Sequence, residues 1–238
     1  PNFRLARLMS KTRVAPRYIR LRLASERLED FARSGIHLRL ALPPEGRKPV
    51  WPQLGKSGRT IWPKGDDALH LPVYTIRQID AAAGWLDVDV FLHGNVPTCK
   101  WAEAVEPGAT IGLSGPGGGW LPKARHLVIA GDETALPAIS RIVETASEEV
   151  TGSVFIEIET PQDKLSLPVP DGLQLHWLCR SSGDPTLEDA LDACGLKQED
   201  DQLIWFAAEK QRAAAMRQKL DDIGVSRRAR QVVAYWSK

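Results

Sequence analysis

The chain has 238 residues, 43% of them hydrophobic and 26% charged, which is enough apolar material for one large core or two small ones. Its formal net charge of +1 gives no electrostatic case for nucleic acid or a membrane surface as partner. No apolar run is long enough to span a bilayer. The start, Pro1-Asn2-Phe3-Arg4, lacks the apolar core of a secretory leader. Three scattered cysteines, Cys99, Cys179 and Cys194, support neither a disulfide framework nor a four-thiolate cluster, so a reducing, cytoplasmic compartment is expected. His37, His70, His93, His126 and His176 stand alone, without the spacing of a metal-ligand pair.

Up to about Pro122 the pattern is short and two-periodic. Tyr18 to Leu23, Ile36 to Leu42, Val73 to Ile79 and Leu86 to Val90 read as strands with turn residues between them, the signature of an antiparallel barrel or sandwich. The stretch from Pro43 to Leu71, rich in Pro, Gly and basic residues, reads as one long loop. After Pro122 strands alternate with helices. Leu127 to Ala130 is a continuous apolar run, as a strand buried on both faces requires. Ile139, Ile142, Val143, Ala146 and Val150 then repeat at helical spacing, with Asp132 or Thr134 as candidate cap. Val154 to Ile158 and Leu173 to Leu178 read as strands. Thr186 caps a short helix carrying Leu187, Ala190, Leu191 and Cys194. A strand over Leu203 to Ala207, a helix over Gln211 to Ile223 and a strand over Gln231 to Trp236 complete an open, parallel α/β half.

Four segments carry chemistry. Tyr74, Thr75, Ile76 and Arg77 lie on one strand and offer a flat ring, a small hydroxyl and a cation; an ordinary amphipathic strand is the plain alternative. Gly108 to Gly119, with Trp101 upstream, offers bare backbone over Gly115-Pro116-Gly117-Gly118-Gly119 for a phosphate, or simply a flexible linker. Gly131, Asp132, Glu133, Thr134 and Ala135 stand between a buried strand and a helix start, the end of an open sheet at which ligands bind. Ala208 and Glu209 close a second strand-to-helix junction of the same kind.

In this order and spacing the segments resemble the siderophore-interacting protein family of FAD-dependent ferric-siderophore reductases. The likeness rests on Tyr74-Thr75-Ile76-Arg77, His93-Gly94 with Trp101-Ala102, Pro107-Gly108 through Gly115-Pro116, Gly131 to Ile139, Trp205 with Ala208-Glu209, and Ala234-Tyr235-Trp236. The resemblance implies a ferredoxin-reductase-like fold: an antiparallel β-barrel for FAD over residues 1–122, then an open α/β domain for NADPH or NADH over 123–238. It implies that Tyr74, Thr75, Ile76, Arg77, His93, Gly94, Trp101, Gly115 and Pro116 surround FAD. It implies that Gly131, Asp132, Glu133, Thr134, Ala135, Ala208 and Glu209 line the nucleotide site, and that Tyr235 or Trp236 ends near the flavin ring. The expected activity is NAD(P)H-dependent reduction of a ferric siderophore, with no side-chain nucleophile and no resident metal. Arg47, Lys48, Lys56, Arg59 and Lys64 of the basic loop are candidate contacts for that anionic substrate; a merely solvated loop is the other reading. The sequence departs from the family at Pro72, where an arginine is usual, and at Ala208, where a glycine is usual. A non-catalytic siderophore- or flavin-binding module and a general flavin or electron-transfer reductase remain the rivals.

Overall fold

The computed structural model describes residues 3–237. The chain divides into two compact units, Pro1–Leu121 and Pro122–Lys238.

The first unit holds strands β1 (Phe3–Ala15), β2 (Tyr18–Ala24), β3 (His37–Ala41), β4 (Gln53–Leu54), β5 (Thr60–Ile61), β6 (Val73–Thr75), β7 (Gln78–Asp80), β8 (Trp85–Phe91) and β9 (Thr110–Gly117). Helices α1 (Glu29–Arg33) and α2 (Pro97–Ala104) accompany them. Seven strands form one antiparallel sheet in the order β6-β3-β9-β1-β2-β8-β7, barrel-like but not closed. Its inner face is lined by Leu8, Leu21, Leu23, Leu38, Leu40, Ile76, Leu86, Val88, Val90, Ile111 and Leu113, all nearly free of solvent contact. Alternating positions of twisted strands point to one face, so each strand contributes every second side chain to this core.

Several expectations need correction. The single strand expected over Val73 to Ile79 is two: β6 lies at one edge of the sheet and β7 at the other, and the chain crosses the seam between them. The Pro43–Leu71 stretch is not one loop. It carries the small β4–β5 hairpin, a 3-10 turn at Gly65–Asp67 and a bridge between Leu42 and His70. Gly115 and Pro116 are not linker but the far part of β9, where Gly117 pairs with His37 of β3. The β1 strand escaped the pattern because most of its residues are exposed or half-exposed, leaving no two-periodic apolar signal.

The second unit holds β10 (His126–Gly131), α3 (Leu136–Glu144), β11 (Thr151–Ile158), β12 (Leu173–Cys179), α4 (Leu187–Cys194), β13 (Gln202–Glu209), α5 (Lys210–Asp222) and β14 (Arg230–Trp236). All five strands run parallel in the order β12-β11-β10-β13-β14. Strand β13, interior to the sheet between β10 and β14, is buried at every position. Helix α3 is shorter than its apolar repeat suggested: it stops at Glu144, and Ala146 and Val150 follow it in a turn whose Val150 is buried. A loop residue buried at helical spacing mimics another helical turn. The cap is also not a side chain; Ala135 occupies that position.

Candidate functional site

In the first unit the candidate residues gather at the barrel seam. Thr75 and Arg77 are buried and Tyr74 is half-buried against the barrel core. Burial pushes the Tyr74 phenol well above its ordinary range, and Thr98 of α2 shares a hydrogen bond with it. Thr98 Oγ1 also lies 2.8 Å from His70 Nε2. Thr75 Oγ1 sits 3.5 Å from His37 Nδ1. The Arg77 amide donates to the Asp87 carbonyl at 2.8 Å, and its guanidinium Nε is 3.7 Å from Asp89. His93 stacks on Phe91 with centroids 5.7 Å apart, and its amide donates to Cys99 Sγ at 3.4 Å. Arg17 covers the same Phe91 ring at 4.6 Å. Helix α2 opens at Pro97 with no side-chain cap, four residues after the exposed His93-Gly94 pair. Trp101 packs half-buried against the barrel core from α2. Ile76 is wholly buried in that core, and its amide donates to the Ile36 carbonyl at 2.8 Å.

This donor set suits FAD. A flat phenol, a hydroxyl and a buried guanidinium stand on one segment, an uncapped helix start lies beside it, and a Cβ added at Gly94 or Gly118 would meet nothing within 4 Å.

The basic loop is more self-contained than expected. Arg47 pairs with Asp66 at 3.0 Å and Asp67 at 3.1 Å, while Lys48, Lys56, Arg59 and Lys64 are exposed. Trp51 and Trp62 from this loop gather on Phe3 of β1, with centroids at 6.2 and 5.6 Å.

In the second unit the C-terminal ends of the parallel strands bring Gly131 to Ala135, Ala208 and Glu209 to one edge of the sheet. Both Asp132 oxygens are engaged. Oδ1 accepts from the Thr134 amide at 3.0 Å and hydroxyl at 2.5 Å, and Oδ2 accepts from Trp236 Nε1 at 2.8 Å. Tyr235 meets Trp205 edge-on, with centroids 6.2 Å apart. Gly131 has a packing reason: a Cβ there would come within 2.7 Å of Ala135 Cβ and 2.9 Å of the Ala207 carbonyl. The Ala208 methyl lies in the core cluster with Ala213 and Met216, so it does not obstruct the solvent side of the strand end. Glu209 caps α5, its Oε2 accepting from the Gln211 amide at 2.6 Å and the Arg212 amide at 3.3 Å.

Sequence reasoning missed the ion network that ties this edge together. Arg180, just beyond β12, pairs with Glu133, with Glu157 at 2.9 Å and with Glu159 at 2.9 Å. Arg212 of α5 pairs with Glu157 and Glu188, each at 2.8 Å. Burial pushes the Glu157 carboxyl up, but the two arginines and the Leu187 amide outweigh it and hold the group below its ordinary value. At Glu133 burial wins over Arg180 and the carboxyl is raised. One signal was present: Glu157 lies within an apolar strand, between Ile156 and Ile158, and a charge there requires a buried partner.

Two family models cover the chain in turn. Residues 7–120 match the siderophore-interacting FAD-binding domain and residues 124–238 match the siderophore-interacting protein model. Ferric vibriobactin reductase ViuB of Vibrio cholerae is 30% identical over 247 residues, covering 99% of this chain and 89% of the relative. The chain belongs to the siderophore-interacting protein family.

Other members extend the likeness. Ferric acinetobactin reductase of Acinetobacter baumannii is 26% identical over 170 residues, spanning 69% of this chain and 59% of that protein. The crystal structure of the siderophore-interacting protein SipS from Aeromonas hydrophila superposes with a TM-score of 0.80 at 29% identity, covering 100% of this chain and 99% of that one. A ferredoxin NADP+ reductase from Neisseria gonorrhoeae, solved with bound FAD and NADP, superposes with a TM-score of 0.67 at 12% identity, covering 99% of each chain. That likeness shows a shared ferredoxin-reductase-like fold. The FAD-binding family model and the ferric-siderophore-reductase relatives make this siderophore-interacting protein a flavoprotein oxidoreductase.

Proposed function

We propose that this protein is an FAD-dependent ferric-siderophore reductase that draws electrons from a nicotinamide nucleotide. The observation that carries the reading is the seam of the first unit, where Tyr74, Thr75 and Arg77 cross between the sheet edges beside the uncapped start of α2. Residues 1–122 hold the flavin and residues 123–238 the nucleotide. When bound, FAD supplies the step between a two-electron donor and a one-electron acceptor. One hydride equivalent from the nucleotide carries two electrons, so two ferric ions leave as ferrous. No side chain need act as nucleophile. The chain's own residues bind and orient: the Tyr74 ring offers a flat face, Thr75 a hydroxyl, and Arg77 a positive charge for the flavin side chain.

Two features speak to the departures from the family. Arg39 of β3 donates to the Leu71 carbonyl at 3.1 Å, which brings a guanidinium alongside Pro72, where the family has its arginine. The core position of the Ala208 methyl removes the steric argument against nucleotide binding. The substrate is a ferric siderophore, with Lys48, Lys56, Arg59 and Lys64 as the exposed cations offered to its negative charge and Arg47 held by its own loop. The free thiols Cys99, Cys179 and Cys194 support the cytosol as the compartment. No helix among the described residues is long and apolar enough to cross a membrane.

The test is a visible spectrum after FAD loading and gel filtration, followed by nucleotide oxidation with and without a ferric chelate. Retained flavin bands and chelate-dependent oxidation are expected. Retained flavin without turnover would favour a binding module, and turnover with free flavin in place of iron would favour a general flavin reductase.

A further inference from the structure

The nucleotide donor exists in two forms that differ by one phosphate on the adenosine ribose. We propose that the C-terminal edge of the parallel sheet selects NADH over NADPH, with Glu159 and the carboxylates that hold Arg180 as the discriminating groups. This rests on the reductase reading above.

The edge is strongly acidic. Residues 131–135, 157–164, 179–189 and 208–212 contain nine carboxylates and four cations, Lys164, Arg180, Lys210 and Arg212. A 2′-phosphate adds close to two negative charges and needs a cation free to meet it. Neither arginine is free. Arg180 is divided among Glu133, Glu157 and Glu159, and Arg212 between Glu157 and Glu188. The exposed lysines, Lys164 and Lys210, are the cations a 2′-phosphate could meet here, so the discrimination rests on the nine carboxylates outweighing two solvated point charges.

Many of the backbone donors are occupied as well. At the start of α3 the Thr134 amide donates to Asp132 Oδ1, the Ala135 amide to the Asp132 carbonyl, and the Leu136 amide to the Glu133 carbonyl. Pro137, the next residue, has no amide hydrogen. At α4 the Leu187 amide donates to Glu157 Oε2 at 3.1 Å and the Asp189 amide to Thr186 Oγ1 at 3.2 Å. At α5 Glu209 takes the Gln211 and Arg212 amides. Much of each helix start that elsewhere receives phosphate is taken here by the protein's own oxygens.

Glu159 supplies the positive half of the argument. It follows β11, the second strand of the unit, which pairs with the first, β10. In open α/β dinucleotide sheets a carboxylate some twenty residues beyond the first strand-to-helix turn accepts a hydrogen bond from the ribose 2′-hydroxyl. The Glu159 side chain is 47% exposed, so one oxygen can remain on Arg180 while the other meets a diol. A 2′-phosphate at that point would face the same carboxylate as a repulsion.

The experiment measures kcat/KM for NADH and for NADPH on the FAD-loaded protein with ferric nitrilotriacetate as acceptor, for wild type and Glu159→Gln. Wild type is expected to prefer NADH by at least about tenfold, a difference of about 1.4 kcal/mol. Glu159→Gln removes the repulsion and frees part of Arg180, so it should narrow that preference severalfold. A salt series on wild type is a second readout independent of any variant. Near 1 M salt the screening length falls to about 3 Å, and the preference should narrow as well. Equal or better use of NADPH would overturn the proposal, as would a preference unmoved by Glu159→Gln or, should that variant not fold, by salt. Oxidation of neither nucleotide would overturn it together with the reductase reading, whereas turnover driven by NADPH as well as or better than by NADH would overturn it alone.

Discussion

Asp87 and Asp89 sit on alternate positions of β8 and would read as the polar, solvent-facing half of an amphipathic strand. Both are buried instead, at 0% and 2% exposure. Arg22 and Arg20 lie directly opposite on β2 and close over them with paired bonds of 2.7–2.8 Å. Asp89 also meets Arg77. Removing one partner leaves a buried charge uncompensated, so Asp89→Asn should cost about 3 kcal/mol, read from the denaturant midpoint. Glu157 gives a pH signature. Its folded-state pKa is depressed below the ordinary 4.5, so its contribution to stability is present above that pH and lost as pH falls through the lower, folded value. The acid-side fall in Tm should therefore be shallower in Glu157→Gln than in wild type. An identical slope in the two proteins would show that the Arg180 and Arg212 contacts do not stabilise the folded state.

At the scale of elements, the junction from β10 to α3 is the tightest place in the second unit. Pro137 near the start of the helix and Gly131 at the end of the strand let the helix return onto the sheet, with Ile139 Cδ1 3.0 Å from where a Gly131 Cβ would stand. Gly131→Ala should therefore destabilise by about 1–3 kcal/mol through overpacking. Calorimetry should show the lowered Tm, and nucleotide affinity should fall with it if this loop lines the site. The α4 cap was legible in the sequence because Thr186 and Asp189 form a local capping box, independent of the rest of the fold. The end of α3 was not, because Val150 is buried by tertiary packing at a spacing that imitates a further helical turn.

For the whole molecule, a ligand that binds only the folded state stabilises it by mass action. FAD at a hundred times its Kd should add about 2.7 kcal/mol to the unit that holds it, seen as a raised Tm. Arg77→Ala should weaken FAD at least about tenfold by removing a charge-assisted contact, and should shrink that Tm shift in step. A full shift in the variant would place the flavin pyrophosphate elsewhere.

Strand alternation, the buried runs Leu127–Ala130 and Leu203–Ala207, the change of pattern near Pro122 and the Tyr74–Arg77 and Gly131–Ile139 motifs are local in the chain, and the amino-acid sequence by itself determined them. It therefore determined a β-rich half followed by a parallel α/β half, and the family. Only the tertiary structure decided which charges meet. Arg180 finds Glu133 from a distance of 47 residues and Arg212 finds Glu157 from 55, while Arg20 and Asp89 are 69 apart. Ion pairing between parallel strand ends depends on strand order and register, and neither is written in local periodicity. For the same reason the α5 cap at Glu209 and the core position of the Ala208 methyl are visible only in the folded chain.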